Sequence, residues 1–156
     1  MKRIIQLALW ILILQLISYG MGMITRANLD PWYISLSKSS LTPPGYIFGI
    51  VWSILYIILA IVGWQLYQKT KLAEASQLQV VFISQLILNE LWTPLFFYLH
   101  WPGASLICSI AIALLTSKFL MLAWTRARLL FWLMIPYWIW VIFASYLNFF
   151  IWCKNT

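Results

Sequence analysis

Side chains able to do chemistry are scarce in this chain, and most fall within apolar stretches. Glu90 is the one acid well inside such a stretch. A bare carboxylate there costs several kcal/mol, so it must be neutral, paired or reached by water. Two roles compete for it: a neutral hydrogen-bonding group that ties its helix to a neighbouring helix or subunit, and a proton relay. Gln85 and Asn89 lie one helical turn apart and can hydrogen-bond across helices. His100, Cys108 and Cys153 lack ligand spacing, so no metal site is expected, and the cysteines read as unrelated small packing residues. No nucleophile–base pair or nucleotide loop is present, so no catalytic residue is assigned for dark chemistry. The tryptophans stand out instead, with 11 in the chain. The stretch PYWIWVIFASYLNFFIW (Pro136 to Trp152) carries three of them with two tyrosines and Asn148. An indole there either anchors the chain at a membrane interface or offers a face to a flat ligand.

The elements that must position these residues follow from the composition. The chain has 156 residues, 64% hydrophobic and 8% charged, with mean hydropathy +0.91. A soluble domain of this length cannot bury so much apolar surface. Five apolar runs stand out, at about 4–24, 45–67, 78–99, 103–124 and 129–152. Each approaches the ~20 residues that carry a helix across a ~30 Å hydrocarbon core. The fold class is therefore all-α: a polytopic membrane protein, a five-transmembrane-helix bundle forming a single domain over 1–156. The first run is too long for a signal-peptide core and lacks an A-x-A-like site before Arg26, so it is expected to be retained.

The net charge of +7 is spread over the loops, which argues against nucleic acid as a partner. Lys2, Arg3, Lys69, Lys71, Arg126 and Arg128 fall on one side, with Lys118 able to snorkel there; Arg26, Lys38 and Lys154 fall on the other. The positive-inside rule then puts the N-terminus in the cytoplasm. All-helical spans favour the bacterial inner membrane. The connection 25–44, TRANLDPWYISLSKSSLTPP, is the one long loop. It reads as a lid over the outer mouth of the bundle, or as an interfacial segment anchored by Trp32 and Tyr33. Pro43 and Pro44 suit the start of the second helix.

Helical periodicity sorts the faces. On the last helix Tyr137, Trp140, Ala144, Leu147, Asn148 and Ile151 share one side, with Trp138, Ser145 and Phe149 nearly opposite. The Asn148 amide would be costly against lipid, so its side faces inward. Ala144 leaves room beside the Trp140 indole, which makes Trp140 the pocket candidate. Trp138 is then lipid-facing or packed against another subunit. The third helix aligns Gln85, Asn89, Trp92 and Phe96; the first aligns Gln15, Ser18, Tyr19 and Gly22. The second aligns Gly45, Gly49, Ser53, Tyr56 and Ala60, with Trp52 beside them, a stripe of small residues that lets helices approach closely.

Four blocks, in order along the chain, resemble the TspO/MBR family, the translocator or tryptophan-rich sensory proteins. They are WYISLSK (Trp32 to Lys38), PPGYIFGIVWSILY (Pro43 to Tyr56), QLILNELWTPLFF (Gln85 to Phe97) and the PYWIW segment that opens at Pro136. The chain departs from the family at Lys38-Ser39-Ser40-Leu41, where Lys-Pro-Ser and an aromatic are usual, and it lacks the C-terminal sterol-recognition pattern. The resemblance implies a five-helix bundle, often a homodimer, with a pocket closed by the first loop. It implies a porphyrin such as protoporphyrin IX or haem as ligand, or another hydrophobic small molecule, and no required cofactor. Some bacterial members are reported to promote light-dependent porphyrin breakdown, for which the matching tryptophans are Trp52 and Trp140. Carried onto this chain, the ligand-binding positions are Trp32, Lys38, Pro43, Trp52, Tyr56, Asn89, Trp92, Tyr137, Trp140, Phe143, Ala144 and Asn148. Membrane lipid is the remaining partner, and a sensory, scavenging or transport role follows. Two alternatives stand beside it: light-dependent porphyrin degradation, and a proton-coupled exporter using Glu90.

Overall fold

The computed structural model of the chain describes residues 2–68 and 73–155. Five helices follow in order: α1 (Lys2–Ala27), α2 (Gly45–Gln68), α3 (Ala73–Thr93), α4 (Pro102–Arg126) and α5 (Arg128–Asn155). No strand occurs among the described residues. Short π-type turns, Leu29–Tyr33 and Pro94–Tyr98, follow α1 and α3. Five segments are long and apolar enough to cross a membrane, the third running from Gln77 to Tyr98. Lys69 and Lys71, counted in the charge balance, lie outside the described residues.

The helices overrun the apolar stretches that announce them. Hydropathy marks only what sits in hydrocarbon, whereas the backbone ladder continues into the charged ends at Lys2, Arg26, Arg128 and Lys154. α3 ends early because Pro94 cannot continue the ladder in register. The turn into α4 closes when the Trp101 N–H donates to the Leu95 carbonyl at 3.0 Å. His100 takes the left-handed conformation that this closure needs, with φ 55°.

α4 packs extensively on both α3 and α5, and α1 packs mainly on α2. The core runs through Leu59, Leu66, Phe82, Phe119, Leu130 and Met134; α1 buries Leu14 in it and packs Trp10, Ile11 and Ile17 against it. The small-residue stripe on α2 departs from its expected role. Gly45, Gly49 and Ser53 are exposed, and a Cβ added at either glycine meets nothing within 4 Å. α1 passes beside that stripe rather than over it, touching it through the Gln15 side chain, which donates to the Ser53 carbonyl at 2.8 Å. The close approach is at Gly63 instead, where an added Cβ would lie 2.7 Å from the Trp10 ring and 3.2 Å from Phe82.

Trp138, expected to face lipid or another subunit, also packs on α4 of its own chain. Its ring is half-buried on α4, and its indole N–H donates to Ser117 Oγ at 2.9 Å. A hydroxyl one helix away thus gives the indole N–H its partner.

Candidate functional site

The residues singled out by type and spacing gather into two clusters. The first is a seam where α2 meets α5. Phe48 and Trp52 lie one turn apart on α2, and Tyr137, Trp140 and Phe143 follow at one-turn spacing on α5. The Trp140 ring packs edge-on against Phe48 at 5.7 Å and sits 5.6 Å from Phe143. Trp52 lies 6.5 Å from Tyr137 and 5.9 Å from Tyr56. Both indoles are half-buried, and the Trp140 Nε1 is buried without a hydrogen-bond partner. An indole N–H left unpaired in this way costs roughly 1–3 kcal/mol. The rings touch one another, so a flat ligand enters this seam only if α2 and α5 separate there.

Beneath the seam runs a chain of polar side chains from α2, α3 and α5. The Tyr137 hydroxyl donates to Gln85 Oε1 at 2.6 Å and lies 3.3 Å from Asn89 Oδ1. Asn89 Nδ2 donates to the Tyr56 hydroxyl at 3.0 Å, and that hydroxyl donates to Glu90 Oε1 at 2.6 Å. Gln85, Asn89, Tyr56 and Tyr137 are all buried. Glu90 is tied to a neighbouring helix of its own chain. Its bearing, about 100° from Asn89 around the helix, does not separate the two, because both reach one tyrosine.

The second cluster lies at the end of the bundle that carries residues 28–44. Trp32 stacks on His100 at 4.1 Å and meets Phe96 edge-on at 5.3 Å. Trp92 stacks on Phe96 at 5.0 Å. Tyr33 packs between Phe96 and Phe97, and that burial pushes its phenol pKa up. Asn148 joins this cluster rather than the seam. Its Oδ1 accepts from Trp92 Nε1 at 2.9 Å and from Ser105 Oγ at 3.0 Å, while its Nδ2 donates to the Pro102 carbonyl at 2.8 Å. That amide is consumed in joining α3, α4 and α5.

Lys38 is similarly engaged. Its ammonium donates to the carbonyls of Tyr33, Ile34 and Leu36 at 2.8, 3.1 and 2.8 Å, and lies 4.9 Å from the Tyr33 ring centroid. All three of its protons are spent on backbone. The loop is further tied to α5. The Ser37 N–H donates to Asn155 Oδ1 at 2.9 Å, Asn155 Nδ2 donates back to the Ser37 carbonyl at 3.1 Å, and Ser39 Oγ lies 3.1 Å from the Tyr146 hydroxyl. Pro43 and Ala144 are half-buried. Ser105 and Asn155 carry no signal in the sequence, and Tyr146 none for this contact; Phe48, four residues before Trp52, lies in the Pro43 to Tyr56 block that resembles the family.

A concavity of about 500 Å³ opens on the outer face between α4 and α5, lined by Ser117, Leu120, Met121, Trp124, Phe131 and Trp138. None of the ring pairs of the seam borders it. Cys108 is buried with its thiol donating to the Leu88 carbonyl at 3.2 Å, and Cys153 is exposed. No cluster of metal-ligating side chains occurs among the described residues.

The TspO/MBR family model matches residues 8–153. This chain belongs to that family. It is 34% identical over 156 residues to the tryptophan-rich protein TspO of Archaeoglobus fulgidus, covering 99% of each chain. It is 31% identical over 123 residues to the tryptophan-rich sensory protein of Cereibacter sphaeroides, covering 77% of this chain and 74% of that one. The human translocator protein is 31% identical over 132 residues, covering 80% and 75%. Family membership and five apolar helices make the protein an integral membrane protein.

Proposed function

We propose that the chain binds a porphyrin-type tetrapyrrole, with the macrocycle held between Trp52 and Trp140 once the α2–α5 seam opens. The observation that carries this reading is the seam itself. Two half-buried indoles flank it, and the Trp140 N–H is buried there without a partner. A bound macrocycle would gain ~0.5–1.5 kcal/mol per aromatic contact beyond area burial. Opening has to start at the loop end of α2, so the ties between Ser37 and Asn155 and between Ser39 and Tyr146 would act as the latch. Arg26 and Lys154, both exposed, are the cations left for a propionate, because Lys38 is occupied by the loop carbonyls. A homodimer and a sensory, scavenging or transport role belong to the same reading, as does a bacterial inner-membrane location with a cytoplasmic N-terminus.

The test is a dark titration of the purified full chain with protoporphyrin IX, read by quenching of tryptophan fluorescence. Removing both indoles in Trp52→Leu/Trp140→Leu is expected to weaken binding by about 1–3 kcal/mol. Binding as tight as that of the unaltered chain would remove the platform. A second reading, light-driven breakdown of the bound porphyrin, is favoured by the Trp52 ring contacts with two phenols. Illuminating the complex separates the two, since a pure binding protein bleaches its porphyrin no faster than free solution does.

A further inference from the structure

Binding alone gives Glu90 no task, yet it ends a chain of contacts that begins at Trp52. Trp52 is in ring contact with Tyr56 at 5.9 Å and with Tyr137 at 6.5 Å. The two phenols differ in what accepts their proton. Tyr137 donates to an amide oxygen of Gln85, whereas Tyr56 donates to a carboxyl oxygen of Glu90, each at 2.6 Å. An amide oxygen accepts a hydrogen bond but does not take the proton; a carboxylate can do both. Glu90 Oε2 is buried without a hydrogen-bond partner, and Oε1 is the oxygen that the Tyr56 hydroxyl reaches. The oxidised phenol is a strong acid, so a tyrosine gives up an electron readily only when a base receives its proton at the same moment.

We infer that Trp52, Tyr56 and Glu90 form a proton-coupled electron relay that restores Trp52 after photo-oxidation. The relay rests on the light-driven reading of the seam. In that reading a photoexcited porphyrin would supply the one-electron oxidant, being reduced by one electron as the Trp52 indole is left a radical cation. Tyr56 returns one electron to that indole. Its O–H bond breaks, and the proton forms a new O–H bond on Glu90. The products are neutral Trp52, a neutral tyrosyl radical at Tyr56 and a neutral Glu90 carboxylic acid, so charge and atoms balance. Asn89 Nδ2, donating to the Tyr56 oxygen at 3.0 Å, is a positioning residue that holds the phenol on Glu90. Tyr137 is close enough to Trp52 but has no base, so it stays reduced.

The experiment needs no bound porphyrin. The detergent-solubilised full chain is given an ultraviolet pulse absorbed by indole, with an added electron scavenger, and the tryptophanyl and tyrosyl radicals are followed in time. The expected result is a tyrosyl signal that grows as part of the tryptophanyl signal decays, more slowly in deuterated buffer. That component should be lost in Trp52→Phe, in Tyr56→Phe and in Glu90→Gln, and retained in Tyr137→Phe. Glutamine keeps an acceptor for the Tyr56 hydroxyl, so a purely structural role for Glu90 would leave the signal unchanged and overturn the relay. Full amplitude in Tyr56→Phe, or the absence of a deuterium effect in the unaltered chain, would also overturn it. If one variant fails to fold, the other and the isotope effect still decide. Failure of the dark porphyrin titration would instead overturn the binding reading and leave this measurement intact.

Discussion

At the scale of single residues, a buried side chain is defined by what its polar atoms reach, and Asn148 shows this most directly. Facing inward on α5, it accepts from Trp92 and Ser105 and donates to the Pro102 carbonyl. Asn148→Leu keeps the volume and removes all three bonds, which leaves the Trp92 N–H unpaired. Interhelical bonds within a membrane are worth about 0.6–2 kcal/mol each, and partners can re-pair in the unfolded state. A net loss of about 1–3 kcal/mol is therefore expected, seen as a lower unfolding midpoint in detergent. An unchanged midpoint would mean that the amide is not the staple it resembles. The inward bearing of Asn148 was legible in the sequence because period and polarity agree on α5. Its partners were not. A helical wheel gives direction but not reach, and it says nothing of which neighbour fills the facing side. The same gap hid the meeting of Glu90 and Asn89 on Tyr56: a glutamate side chain is long enough to cross the angle between them.

At the scale of elements, two glycine positions on α2 separate contact from mere smallness. Gly63→Ala puts a methyl 2.7 Å from the Trp10 ring and 3.2 Å from Phe82. The Trp10 ring must turn aside or α1 must move away from α2, and overpacking of this kind costs about 1–3 kcal/mol. Gly49→Ala meets nothing within 4 Å and trades a poor helix former for the best, a change worth up to about 1 kcal/mol in a soluble helix. Thermal unfolding of the two variants side by side should therefore shift in opposite directions or only for Gly63; equal loss in both would contradict the placement of α1. The sequence made the glycine stripe at 45 and 49 look like the packing face because smallness is visible and neighbours are not. The number and order of the helices were legible, since five apolar runs announce them. Helix ends were less so, because hydropathy stops at the first charge and hydrogen bonding does not.

At the scale of the whole molecule, the bundle has two unlike ends, and their charges suggest which faces the cytoplasm. The end with the N-terminus and the α4–α5 turn carries Lys2, Arg3, Arg126 and Arg128. These are exposed, and Arg128 stacks over the Trp124 ring at 4.9 Å, where a headgroup-level cation would sit. The other end carries Arg26, Lys38 and Lys154, and Lys38 is bound to three carbonyls of its own loop. Its charge is thus partly met by backbone dipoles, which widens the difference between the ends. On the reading proposed above, positive charge held on the cytoplasmic side would orient the chain with its first loop and C-terminus outside. Cys153 reports this directly, being exposed at the C-terminal end of α5 while Cys108 is buried. In intact cells, a membrane-impermeant maleimide should modify Cys153 without permeabilisation, and Cys153→Ser should abolish the signal. Modification that appears only after the membrane is opened would reverse the orientation. It would also turn the proposed porphyrin seam, which opens toward the loop end, to the cytoplasmic side.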